Sequence, residues 1–172
     1  MKVAVLRLGH RISRDKRIST HVALVARALG AYKILYSGEK DSGMEESVNN
    51  VVRQWGGKFR ISYQKSWRHF LKTRKGRIVH LTVYGMPVQD MVNKIKREKK
   101  DILVIVGGEK VPWEIYELAD YNISVTSQPH SEIAALSIFL DRFFGGQELK
   151  KTFPGGSIVV VPQEKGKKIV ER

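Results

Sequence analysis

Asp101-Ile102-Leu103-Val104-Ile105-Val106 runs straight into Gly107-Gly108-Glu109-Lys110-Val111-Pro112, and the reading of this stretch decides the fold. The apolar run shows neither helical spacing nor alternation, so both of its faces are buried, as in a strand inside a parallel sheet. The glycine pair ends it, and a short helix follows near Pro112 to Leu118. Outward from this segment, the same alternation repeats. On one side lies a strand at Arg77 to Val83, backed by a helix bearing Met91, Val92 and Ile95. On the other lie a strand at Tyr121 to Val125 and a long helix from Ser131 to Phe144.

The N-terminal half follows suit, with strands at Val3 to Leu8, Lys33 to Tyr36 and Phe59 to Tyr63. A basic loop, Gly9 to Ile18, is expected to lead to a helix capped by Ser19 or Thr20 and stopped by Gly30. Ser42-Gly43-Met44-Glu45 has capping-box spacing for a second helix ending at Gly56-Gly57, and Trp67 to Lys72 reads as a third. Ser157 to Val161 and Lys168 to Val170 pair as a hairpin. These patterns predict one α/β domain over 1–172: a mainly parallel sheet, helices on both faces and a C-terminal β-hairpin extension at 157–172. In such sheets ligands bind beyond the carboxyl ends of the strands, which directs attention to the loops after Val83, Val106 and Val125.

The 172 residues are 42% hydrophobic and 28% charged, a globular balance, and contain no cysteine, which removes disulfides and thiolate metal sites. No apolar run approaches the roughly 18 residues a membrane span needs. The N-terminus begins directly as a strand, so neither a signal peptide nor a membrane partner is expected, and a cytoplasmic location is. The net charge of +14 points to a polyanionic partner, because Lys and Arg gain by displacing counterions from phosphates.

That charge has a clear footprint. Lys58, Arg60, Lys65, Arg68, Lys72, Arg74 and Lys75 are interleaved with Phe59, Tyr63, Trp67 and Phe70, and no acid occurs between Glu46 and Asp90. Cations that track the backbone beside aromatic faces suit looped RNA, although each aromatic taken alone is better read as core. A second basic stretch, Arg7 to His21, holds Arg7, Arg11, Arg14, Lys16 and Arg17 against Asp15 alone, a set suited to clamping phosphate. Gly107 and Gly108 would let a ligand approach the main chain. Gln128-Pro129-His130-Ser131-Glu132 is a polar loop in which Ser131 can cap the following helix and Glu132 suits its first turn. His10, His21 and His130 lack metal-ligand spacing, so no metal is expected, and no serine or cysteine nucleophile motif is present.

Arg14-Asp15-Lys16-Arg17-Ile18-Ser19-Thr20-His21-Val22-Ala23-Leu24, Val106 to Pro112, and Ala119-Asp120-Tyr121-Asn122 running into Gln128 to Leu136 together resemble the archaeal tRNA cytidine-56 2′-O-methyltransferase family of the SPOUT superfamily. The resemblance covers nearly the whole chain. It implies a deep trefoil knot towards the C-terminal part, a homodimer, a tRNA substrate and bent S-adenosylmethionine as cofactor. Carried onto this chain, the cofactor residues are Leu81, Thr82, Gly107, Gly108, Glu109, Lys110, Val111, Val125, Thr126, Ser127, Gln128, Pro129, His130, Ser131 and Glu132. Many ribose methyltransferases of the superfamily place an Asn and an Arg on the first motif's helix. Here Leu24, Val25 and Ala26 occupy much of that stretch, so the arginine's role falls to Arg11, Arg14 or Arg17. Arg14 or Arg17 is expected to orient the 3′-phosphate and stabilise the developing alkoxide, with a phosphate oxygen or His21 taking the proton. Arg11 joins the lysines and arginines of 58–75 as an RNA contact. A base or ribosomal-RNA methyltransferase, and a non-catalytic RNA-binding protein, are the alternatives.

Overall fold

The computed structural model describes residues 1–108 and 110–171. In chain order the elements are β1 (Val3–His10), α1 (Ile12–Ala28), β2 (Lys33–Gly38), α2 (Ser42–Trp55), β3 (Arg60–Tyr63), α3 (Trp67–Thr73), β4 (Arg77–Pro87), α4 (Val88–Arg97), β5 (Ile102–Gly107), α5 (Trp113–Leu118), β6 (Tyr121–Ser124), α6 (Glu132–Phe144), then the β7 (Ile158–Val160) and β8 (Ile169–Glu171) hairpin. The first six strands form one sheet in the order β3-β2-β1-β5-β4-β6, every pairing parallel. The apolar run at Ile102 to Val106 lies inside this sheet, between β1 and β4.

Strand parity divides the core in two. Val3, Val5, Ile102, Val104 and Val106 face a layer built with α1, α2, α4 and α6, where Val22, Val48, Val92, Leu136 and Phe139 are buried. Ala4, Leu6, Leu8, Leu103 and Ile105 face α3 and α5, against Leu71 and Ile115. Each large side chain so buried contributes about 1.5–3 kcal/mol. Helices on both faces are as the alternation predicts.

Two expectations about helix starts are corrected. First, α1 begins at Ile12, so Arg14, Lys16 and Arg17 lie on a helix and not in a loop, and Arg7 lies within β1. The cap comes from elsewhere: the Ile12 N–H donates to Glu39 Oε2 at 2.7 Å and the Arg11 N–H to Asp15 Oδ2 at 3.2 Å. Ser19 is buried mid-helix, its hydroxyl 2.8 Å from His10 Nδ1, and the Thr20 hydroxyl donates to the Lys16 carbonyl. Second, the N-cap of α2 is Asp41, whose Oδ1 accepts from the Met44 N–H at 2.9 Å; Glu45 instead accepts from the Tyr36 hydroxyl at 2.6 Å. Asp41 Oδ2 also lies 3.4 Å from His10 Nε2, so the cap ties α2 to the end of β1. Replacing Asp41 with Ala is expected to cost about 1–2 kcal/mol, seen as a Tm lower by several degrees, whereas Asn should retain most of the cap.

Two irregularities shape the carboxyl edge. In β4, Leu81 and Met86 both stand opposite Ile123 of β6, so residues 82–85 leave the ladder and return. The chain after α6 crosses the end of α2: the Gly57 N–H donates to the Pro154 carbonyl, and a Cβ on Gly56 (φ 79°) would lie 2.6 Å from the Gly156 nitrogen. Only glycine permits that crossing. No helix among the described residues is long and apolar enough to cross a membrane.

Candidate active site

The sheet order brings the three expected cofactor loops side by side, because β4 is hydrogen-bonded to β5 on one edge and to β6 on the other. Leu81 is buried in the core, so this position offers a ligand only main-chain groups. Thr82 holds its hydroxyl 3.1 Å from the Tyr116 hydroxyl of α5. After β5, a Cβ on Gly107 would lie 2.4 Å from Val111 Cγ2, so this glycine lets the loop fold back on itself. A Cβ on Gly108 would meet only the Arg7 guanidinium, at 3.6 Å, an ordinary contact. Glu109 lies outside the described residues; Lys110 is exposed. After β6, Val125 is half-buried and Thr126, Ser127, Gln128, Pro129, His130 and Ser131 are exposed. Thr126 Oγ1 accepts from the Gln128 N–H, and Ser131 Oγ caps α6 through the Ile133 N–H at 3.1 Å.

Glu132 turns inward. Its Oε1 accepts from Arg7 Nη2 at 3.1 Å, in an ion pair whose side chains are 1% and 14% exposed. Arg7 occupies the odd parity of Val3 and Val5, which aims it into the layer of α1 and α6, and its Nη1 donates to the Leu8 carbonyl. Burial pushes the Glu132 carboxyl above its ordinary value, with Arg7 pulling the other way and Asp15 adding to the rise. Asp15 is also buried; that burial would raise its carboxyl, but the Arg11 hydrogen bond and the Arg7 and Arg11 charges outweigh it and hold the group low. Arg11, Asp15, Arg7 and Glu132 thus alternate in sign from the start of α1 to the start of α6. Glu132 Oε2 is a buried acceptor with no protein partner among the described residues.

Beside this network opens a cleft of about 580 Å³. It is lined from the ends of β1 (Leu8, Gly9, His10, Arg11) and β2 (Ser37, Gly38, Glu39), from Trp67, and from the loop after β5 (Gly107, Gly108, Lys110, Val111, Pro112). It sits where the chain's outward winding reverses, between β1 and β5, the usual position for a ligand in an open parallel sheet. Of the expected cofactor loops, only the one after β5 borders it.

The basic residues divide by orientation. At about 100° per residue, Arg14 lies to one side of the buried Asp15 and Arg17 nearly opposite it, while His21 shares the stripe of Arg14 about 10 Å further along. Arg14 Nε stands 3.9 Å from Asp15 Oδ1. The structure therefore brings Arg11 and Arg14, but not Arg17 or His21, to the charge network. In the second stretch Lys58, Arg60, Lys65 and Lys75 are exposed, whereas Arg68 and Lys72 pair with Glu114 of α5 at 2.7 and 3.6 Å. Arg74 is half-buried and donates to the Arg77 carbonyl. Phe59 is buried in the core on the α1 and α2 face, Phe70 and Trp67 pack against the core on the opposite face, and Trp67 is half-buried with the Arg68 guanidinium 4.2 Å over its ring. The aromatics are thus mainly structural, as each alone suggested.

Sequence reasoning missed a second polar layer. His80 is fully buried; its Nδ1 lies 2.8 Å from Asn122 Oδ1, while Asn122 Nδ2 donates to the Tyr116 carbonyl. Burial lowers the His80 pKa, so the ring is neutral and pins α5 beneath the loop after β5. A histidine in an otherwise apolar strand was the only available signal.

Residues 55–170 match the sequence profile of a family described as tRNA ribose 2′-O-methyltransferase, aTrm56. A tRNA (cytidine(56)-2′-O)-methyltransferase of Thermococcus kodakarensis is 53% identical, the alignment spanning 98% of this chain and 97% of that protein. An enzyme of the same name from Methanocaldococcus jannaschii is 54% identical over 99% and 97%. Among solved structures, the SpoU methyltransferase AviRb of Streptomyces viridochromogenes, in complex with AdoMet, superposes with a TM-score of 0.58 at 15% identity, over 83% of this chain and 56% of that one. That likeness establishes a common fold. On profile and full-length identity together, the chain belongs to the aTrm56 family of tRNA ribose 2′-O-methyltransferases.

Proposed function

We propose that this chain methylates the ribose 2′-oxygen of cytidine 56 in tRNA, in the cytoplasm, with S-adenosylmethionine as donor. The observation that carries the reading is identity above 50%, over essentially full length, to enzymes of that name, on a fold whose three candidate donor loops leave adjacent strands. Mass-spectrometric mapping of an unmodified tRNA transcript, after incubation with enzyme and donor, should find one methylated ribose, on cytidine 56. Methyl on a base, or on another nucleotide, would contradict the assignment.

The residues present fit such a donor. The Gly107-Gly108 turn offers bare main chain, the excursion at 82–85 and the exposed loop 126–131 supply further main-chain groups, and Glu132 Oε2 is an unpartnered buried acceptor. When bound, the sulfonium supplies a methyl group already activated for displacement by oxygen. What remains for the protein is to align the ribose, worth about 7–11 kcal/mol in well-organised cases, and to manage the hydroxyl proton. Arginine is a poor base, because its pKa exceeds about 12. Arg14, held beside Asp15, orients the 3′-phosphate and stabilises the developing alkoxide, and Arg11 steadies the neighbouring backbone. The phosphate so held is the favoured proton acceptor, since His21 stands two helical turns from Arg14.

Substituting Gly108 with Val tests the donor side. A first side-chain carbon there meets only Arg7, at 3.6 Å, so the protein should fold. Its branches would enter the space a ligand uses, so calorimetry should find donor affinity reduced by about tenfold or more, the scale of a lost 1.4 kcal/mol. Unchanged affinity would place the donor elsewhere.

The proposal includes the trefoil knot, with the segment at α6 tucked through a preceding loop, and a homodimer. Ile18 of α1 and Ile138 of α6 are 42% and 43% exposed, apolar side chains that a second copy would cover. Sedimentation should report about twice the 19.6 kDa chain mass.

A further inference from the structure

We infer that the cleft between β1, β2 and β5 is the pocket for the extruded nucleobase, and that Glu39 reads it as cytosine. The inference rests on the proposed ribose methylation. Bringing a nucleotide's 2′-oxygen up to the methyl group also brings its base against the protein, and a base drawn from its stack needs a lined pocket. This cleft adjoins that chemistry: it shares Gly107 and Gly108 with the candidate donor loop, and Arg11 of the charge network forms part of its wall. Its volume, about 580 Å³, is within the range of small-molecule sites. Trp67, Leu8 and Val111 give it an apolar side suited to a flat ring, while Lys110 and Arg11 supply cations for the flanking phosphates.

The chemistry of Glu39 selects among bases. One carboxylate oxygen, Oε2, is fixed by the Ile12 N–H at 2.7 Å, so the side chain is held at the lip of the cleft. The other oxygen has no protein partner among the described residues. Cytosine presents an amino donor at N4, which a carboxylate accepts; uracil presents an oxygen there, which a carboxylate repels. A residue serving only as a helix cap would show no such preference.

The test compares wild type with Glu39→Gln on two tRNA transcripts, with cytidine or uridine at position 56, in single-turnover methylation. A glutamine can keep its carbonyl on the Ile12 N–H, which turns its amide donor towards the base. The preference for cytidine over uridine should fall by about tenfold or more, the scale of one hydrogen-bonded base contact. Any effect of the uridine on tRNA folding cancels, because both enzymes see the same transcripts. Donor affinity should remain within about twofold. A ratio unchanged from wild type, even with both rates reduced, would overturn the inference and leave Glu39 a cap. Donor affinity weakened by Glu39→Gln or Trp67→Ala would also overturn it, by giving the cleft to the donor. A wild-type enzyme inactive on cytidine 56 would instead defeat the underlying proposal, and this inference with it.

Discussion

Replacing Arg7 with Ala should lower the Tm by about 10 °C, because it leaves the Glu132 carboxylate buried without its countercharge. Breaking a buried pair from one side costs about 3–5 kcal/mol, and a domain of this size loses about 2–4 °C per kcal/mol. The defect should depend on pH. Glu132 already has a folded pKa above its ordinary 4.5, and Arg7 is the charge restraining that rise, so the variant's value climbs further. A carboxyl that holds its proton more tightly when folded loses stability as pH rises from about 4.5 through the raised value. Thermal melts of the variant should therefore approach wild type near pH 4.5 and diverge above it. A double substitution, Arg7→Met with Glu132→Leu, should recover most of the loss, because two apolar side chains need no charge partner. A constant deficit across pH would mean that Arg7 acts by packing alone.

Arg14→Ala should reduce the single-turnover methylation rate by about a hundredfold or more at saturating donor and tRNA, the usual effect of removing one group aimed at developing charge. Donor affinity should change little, since the proposal sets the guanidinium on the ribose side of the site. His21→Ala should remain within a few-fold of wild type. If Arg14→Ala weakened donor binding and left the saturated rate normal, the arginine would be a donor contact. If His21→Ala were as damaging, the histidine would be the proton acceptor, supplied across the proposed dimer.

What the chain announced, and what it concealed, follows from the range of the interactions. The run Ile102 to Val106, the glycine stops and the α6 register are short-range signals, and each led to an element that the structure contains. The candidate loops were legible for the same reason, as polar turns after apolar strands. The start of α1 was not, because its cap is Glu39, brought from the end of β2. Nor was the partner of Glu132: a first-turn acid reads as a helix-dipole residue, and Arg7 lies 125 positions away. Arg7 did leave a trace, as a single charge in Val3 to Leu8 at the parity of Val3 and Val5, and the basic residues that follow masked it. The cleft depends on β1 lying between β2 and β5, a strand order that periodicity does not encode.

A crystal structure of this chain with S-adenosylmethionine would probe the arrangement most directly. The donor should lie across the ends of β4, β5 and β6, against the main chain at 81–82, 107–111 and 125–131, with its methyl directed towards Arg14 and the mouth of the Trp67 cleft. A donor bound away from these three turns, or filling the Trp67 cleft itself, would contradict the account.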